Sequence, residues 1–180
     1  PGVVRYDIQN DEWKYFGRSA GCSGGGNDKG RGVAACQAGG DEPDADEYPR
    51  VVDATLVGDE PFAVLYGDDL VVSDVPCIGQ MVEQYKKYSA SILGVTEVSS
   101  ELIGSYGVVK AKKINDVFLV EGIVEKPKPS EAPSNLAMLG RYIFEPEIFE
   151  FLEKVEPDSH GEYLLTDAIQ MMVQSRAVYA

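Results

Sequence analysis

The 180-residue chain carries 16 Lys+Arg against 30 Asp+Glu, a net charge of −14 with its single His neutral. That balance argues against nucleic acid as a partner, because phosphate contacts need clustered Lys and Arg, and against an anionic membrane surface. With 44% hydrophobic and 26% charged residues, the chain reads as a globular protein of one domain or most of one.

Cys22, Cys36 and Cys77 form no CxxC pair, and one His cannot complete a zinc set. Isolated thiols in a reducing compartment are therefore expected, which points to the cytoplasm. No apolar run approaches the roughly 18 residues of a spanning helix. The opening PGVVRYDIQNDEWKY lacks the basic-then-apolar pattern of a signal peptide. The first residue is Pro rather than Met, as in a processed or partial chain.

Glycine divides the sequence, since ten of its 19 glycines lie in residues 1–40. The stretch GRSAGCSGGGNDKGRG has no apolar period, and DEPDADEYPR at 41–50 is acidic and broken by proline. No core element is expected between about Phe16 and Arg50. A phosphate cradle at residues 21–32 is disfavoured, because a P-loop needs Lys-Ser/Thr after its last Gly and the chain has Lys29-Gly30.

From about Val57 the texture changes. PFAVLYGDDLVV predicts a strand ending in Gly67-Asp68-Asp69. Ile78, Met81, Val82, Tyr85 and Tyr88 follow at helical spacing, with Pro76 suited to the first turn. SILGVTEV predicts a second strand, and strand–helix–strand at this length predicts a parallel crossover pair. YGVVKAKKI and VFLVEGIVEKP flank Asn115-Asp116, which predicts an antiparallel hairpin. LAMLGRYIF is a further strand. Pro146 then opens a helix with Ile148, Phe149, Leu152 and Val155 on one face. A last helix starts near Thr166, whose hydroxyl is a candidate N-cap, and AVYA begins one more strand. The fold class is α/β with a mixed sheet.

Two patterns carry chemistry. Gly67 removes a side chain at a strand's carboxyl end, where open α/β sheets bind ligands. Asp68 and Asp69 supply hard oxygens of the kind Mg²⁺ takes alongside substrate phosphates. A solvated acidic turn is the equal alternative. In GIVEKPKP, Glu125 can accept from sugar hydroxyls and Lys126 can donate to phosphate, although a plain surface pair fits as well. Tyr106-Gly107 is either an ordinary strand start or a close approach to a sugar. His160 reads as solvated, and no Ser–His–Asp or Cys–His arrangement appears.

Taken in order, VGDEPFAVLYGDDLV, YGVV, VEKPKPSEAPSNLAMLGRYIF and GEYLLTDAI resemble the bacterial UTP–glucose-1-phosphate uridylyltransferase family, over about residues 56–180. The resemblance implies a Rossmann-like mixed sheet of the sugar nucleotidyltransferase type, incomplete at both ends. It implies a nucleotidyltransferase making UDP-glucose and pyrophosphate from UTP and glucose 1-phosphate with Mg²⁺. Asp68 matches the metal-binding aspartate, so Asp68 and Lys126 are the catalytic candidates. Gly67, Asp69, Tyr106, Gly107, Glu125 and Lys126 are the substrate-binding candidates. The resemblance leaves a homo-oligomer open for the full-length family member.

Residues 1–55 do not carry the resemblance. The family's Gly-x-Gly-Thr-Arg loop, its Pro-Lys segment and its Gly-Leu-Gly-His segment are missing, a Gln expected near the end is Leu164, and a later metal-binding Asp lies past the last residue. A partial chain joined to foreign or frame-shifted sequence explains this, as does divergence. The expectation is weak sugar-phosphate binding without turnover. A related sugar thymidylyltransferase and a non-catalytic sugar-phosphate or nucleotide-binding module are the alternatives. A phosphoacceptor receiver domain fits less well, because the Lys-bearing strand lies in a hairpin.

Overall fold

The computed structural model describes residues 2–7, 12–16, 57–67, 69–159 and 161–180, with the first two segments described as backbone alone. Asp68, His160, Cys22, Cys36, the glycine-rich stretch at 21–32 and the acidic stretch at 41–50 lie outside the described residues.

Eight strands share one sheet. They are β1 Gly2–Asp7, β2 Glu12–Phe16, β3 Phe62–Leu65, β4 Ser91–Glu97, β5 Val108–Ile114, β6 Val117–Val124, β7 Leu136–Phe144 and β8 Val178–Tyr179. The α-helices lying wholly within the described residues are α1 Cys77–Tyr88, α2 Ile148–Leu152 and α3 Leu165–Val173. The spatial order is β2-β1-β3-β7-β4-β8-β6-β5, and β5 pairs back onto β7. Among the described residues only β4 and β8 pair in parallel; the other pairings are antiparallel.

Strand alternation sorts the core onto two faces. Phe62 and Val64 of β3, Leu93 of β4, and Tyr142 and Phe144 of β7 pack with Ile148, Ile169 and Met172 of α2 and α3. The intervening Ala63, Ile92 and Ile143 pack with Met81, Val82 and Tyr85 of α1. A sheet covered on both faces explains why β7 reads as an apolar run interrupted at Gly140-Arg141.

α1 forms as its spacing predicts. It ends at Ser89, which adopts φ 48° and donates its N–H to the Tyr85 carbonyl at 2.7 Å. Lys86 and Lys87 complement the dipole of the last turn. The predicted hairpin also forms, with Ile114 opposite Val117 and Asn115 left-handed at φ 55°. Its tip is tied to α1, because Lys87 and the Tyr88 hydroxyl donate to Asp116 at 2.8 and 3.2 Å.

β3 and β4 run in the same direction, as the crossover predicts, with β7 between them and antiparallel to both. The nine-residue apolar β7 is the strand able to be buried on both faces, and it takes the central place. The helix after Pro146 stops at Leu152, where the bonds tighten to three-residue spacing, and Val155 enters the core beyond it. Thr166 is not the cap of α3. Leu164 occupies that position with extended backbone, and no side chain caps the helix.

Two buried phenols give the fold an alkaline limit. The Tyr85 hydroxyl donates to Glu145 at 2.5 Å. Burial first, then that hydrogen bond, hold it above its ordinary value of 10.0. Burial also raises Tyr142. An acid raised in the folded state keeps a proton that the unfolded chain loses above about pH 10, so the contribution of these two groups is constant below that pH and stability falls above it. The urea midpoint is expected to drop steadily from about pH 10 upward. An unchanged midpoint through that range would contradict the burial of both hydroxyls.

Candidate active site

The candidate residues gather where two strands part on one edge of β7. β4 pairs along the other edge of β7, from Glu97 opposite Leu136 to Ile92 opposite Ile143. β3 and β5 therefore share the remaining edge. β3 pairs down to Leu65 opposite Arg141, and the Tyr66 N–H adds a bond to the Gly140 carbonyl at 2.8 Å. β5 begins with Val108 opposite Ala137, and the Met138 N–H donates to the Gly107 carbonyl at 2.8 Å. The chain leaving β3 as Gly67-Asp68-Asp69 and the chain entering β5 as Tyr106-Gly107 thus diverge either side of Leu139.

The hairpin adds Glu125 and Lys126 at the same point. Val108 is opposite Val124, so Gly107 and Glu125 follow at the open end of the ladder. A Cβ on Gly107 would lie 3.1 Å from Glu125 Oε2, 3.4 Å from Thr166 Cγ2 and 2.5 Å from the Met138 methyl. Packing against Met138 is thus one reason for the glycine. The Lys126 N–H donates to the Tyr106 carbonyl at 3.1 Å. Lys126 is exposed and adopts φ 41°, a left-handed backbone unusual for lysine. Such strain is of order 1–3 kcal/mol and concentrates at ligand sites.

Asp69 is partly buried and faces β7. Its Oδ2 accepts from the Gly140 N–H at 2.6 Å. Gly67 is exposed at the end of β3, and Asp68, between them, lies outside the described residues. The Tyr142 ring meets that of Tyr66 edge-on at 5.8 Å. Burial first, then Tyr66 and the carboxylates of Glu125 and Asp69, hold the Tyr142 hydroxyl above its ordinary value.

Sequence reasoning missed Tyr66, Gly140, Arg141, Thr166 and Tyr142 at this site. Of these, Arg141 had a signal: a charged residue inside the otherwise apolar run LAMLGRYIF.

A family model described as nucleotidyl transferase matches residues 49–180. The chain belongs to the nucleotidyl transferase family. The UTP–glucose-1-phosphate uridylyltransferase of Pseudomonas aeruginosa is 45% identical to this chain over 128 residues, 69% of this chain and 46% of the relative. The enzyme of that name from Bacillus subtilis is 45% identical over 126 residues, 69% of this chain and 43% of the relative. The chain thus spans about half the length of the curated relatives it matches. A crystal structure of UDP-glucose pyrophosphorylase complexed with UDP-glucose superimposes with a TM-score of 0.68 at 40% identity, covering 71% of this chain and 49% of that one. The mixed α/β sheet is of the nucleotidyltransferase type, present in part.

Proposed function

We propose that this chain carries the sugar-phosphate part of a UTP–glucose-1-phosphate uridylyltransferase site. The supporting observation is that the Gly-Asp-Asp loop and the Gly107–Glu125–Lys126 group meet at Met138 and Gly140, two residues apart on β7. The names of its relatives supply the substrate class.

In the proposed reaction a phosphate oxygen of glucose 1-phosphate attacks the α-phosphorus of UTP. The bond from that phosphorus to the bridging oxygen breaks, and pyrophosphate leaves. No protein nucleophile is required, so the residues act by positioning and by neutralising charge. Glu125 accepts from glucosyl hydroxyls beside Gly107 and Tyr106. Lys126 donates to phosphate as a point charge.

Among the described residues, no group of three or more His, Cys, Asp or Glu could hold a metal. One oxygen of Asp69 is already committed to Gly140. Mg²⁺ needs only one or two carboxylates where substrate phosphates complete its shell. Asp68, with the second oxygen of Asp69, meets that need, so the donor chemistry fits. When bound, the ion would neutralise charge on the phosphate oxygens. A cytoplasmic location accompanies this reading. Among the described residues no helix is long and apolar enough to cross a membrane.

Lys126→Ala tests the assignment. It should weaken UDP-glucose binding by about 1.5–3 kcal/mol, the range for a charge-assisted hydrogen bond. The exposed side chain should leave the urea midpoint unchanged. Unchanged affinity in calorimetric titration would remove Lys126 from the site. In a coupled pyrophosphate-release assay, the 180-residue chain should show turnover far below the roughly 10 s⁻¹ typical of enzymes. The reason is that its sequence lacks the Gly-x-Gly-Thr-Arg loop.

A further inference from the structure

Three main-chain carbonyls converge on one buried guanidinium. Arg141 Nη1 donates to the carbonyls of Tyr66 at 2.7 Å and Gly140 at 2.8 Å, and its Nη2 donates to the carbonyl of Asp69. The residue is 9% exposed. Two of these acceptors flank the Gly67-Asp68 step, one on each side. The third is on β7 itself, and the neighbouring Gly140 N–H returns a bond to the Asp69 carboxylate. The loop is therefore clamped to β7 reciprocally, by donors from Arg141 and an acceptor from Asp69.

The backbone makes room for this clamp. The β4–β7 register shifts between Leu93 and Val95. A Cβ on Gly94, within that shift, would lie 3.0 Å from both Arg141 Cβ and the Arg141 carbonyl oxygen. Beyond the loop, the chain offers little packing to hold it, since Leu70 and Val72 are 86% and 87% exposed. Lysine could not substitute, because its ammonium is a compact point charge and lacks the planar fork that reaches several separated acceptors.

We propose that Arg141 is a positioning residue. It sets the path of the chain on either side of the Gly67-Asp68 step through the main-chain carbonyls of Tyr66 and Asp69, and so holds Asp69 against β7 at the nucleotide-sugar site. This rests on the reading of that loop as part of the UDP-glucose site.

Arg141→Lys, made in the 180-residue chain, tests the proposal in two independent measurements. Amide hydrogen exchange without ligand should speed up at least tenfold at Tyr66 and Gly140, whose N–H groups bond the Gly140 carbonyl and the Asp69 carboxylate, with core amides such as Leu93 and Val109 unchanged. Calorimetry should show UDP-glucose affinity in Mg²⁺ falling at least tenfold, while affinity for glucose 1-phosphate without Mg²⁺ holds. Unaltered exchange at Tyr66 and Gly140 would overturn the clamp. Faster exchange with unaltered Mg²⁺-dependent affinity would overturn the positioning role. Global loss of protection would show that Arg141 serves the fold rather than the loop. As a second variant, Arg141→Ala should regain Tyr66 and Gly140 protection on addition of guanidinium at non-denaturing concentration, and failure to regain it counts against the clamp. If the unmutated chain does not bind UDP-glucose at all, the proposed function fails, and the exchange data still decide the clamp.

Discussion

Asp68→Asn should abolish Mg²⁺-dependent binding of UDP-glucose while leaving the denaturation midpoint where it is. Asp69 has one oxygen bonded to Gly140, so Asp68 is the carboxylate of the pair on which the metal assignment depends. Removing its charge should cost at least the roughly 10–100-fold seen when a metal site loses an outer partner. The expected behaviour is a titration curve identical with and without Mg²⁺. A variant that keeps the Mg²⁺ dependence of the unmutated chain would transfer the metal role elsewhere.

Gly140→Ala should produce the largest stability loss of any single methyl group added near the site. The new Cβ would lie 2.5 Å from Tyr66 Cβ, 2.6 Å from Cγ and 2.7 Å from Cδ2. These are the root of the side chain and its ring, not a flexible tip. Tyr66 cannot withdraw, because its N–H bonds the Gly140 carbonyl and its carbonyl accepts from Arg141. Its ring also meets Tyr142 edge-on at 5.8 Å. Overpacking of this kind costs about 1–3 kcal/mol, and relief by moving the loop would carry Asp69 away from β7. Urea denaturation should show the loss. Tyr66→Ala combined with Gly140→Ala should lose less than the sum of the two single changes. A loss for Gly140→Ala below about 0.5 kcal/mol, the scatter of surface changes, would show that the ring accommodates the methyl.

Local patterns were legible in the sequence, and long-range pairings were not. The α1 face, the Asn115-Asp116 turn and the β7 run follow from helical spacing, turn chemistry and apolar content, all properties of neighbouring residues. The insertion of β7 between β3 and β4 is a choice among strands of similar texture, and nothing in Phe62–Leu65 or Ser91–Glu97 names its partner. The same limit hid the clamp. Arg141 stands 72 residues from Asp69, and its bonds go to main-chain carbonyls that any sequence would provide. The Thr166 cap failed for another reason. A hydroxyl near a helix start satisfies the capping pattern, yet the helix begins at Leu165, and Thr166 Cγ2 lies toward Gly107 instead.

The site's own residues divide in the same way. Glu125 and Gly107 were brought together by hairpin register, which the turn residues foreshadowed. Their meeting with the Gly-Asp-Asp loop depends on β3 and β5 sharing an edge of β7, a feature of tertiary pairing alone. The strained backbone of Lys126 and the burial of Tyr142 likewise arise only once those strands are assembled.

A titration of the isotopically labelled chain with UDP-glucose in Mg²⁺, followed by amide chemical shifts, tests most directly whether these segments form one site. The account predicts saturable shifts with a common dissociation constant at Gly67–Asp69, at Tyr106–Gly107 and at Glu125–Lys126. The hairpin tip at Asn115-Asp116 should stay still. Absence of saturable shifts, or shifts confined to one of the three segments, would contradict it.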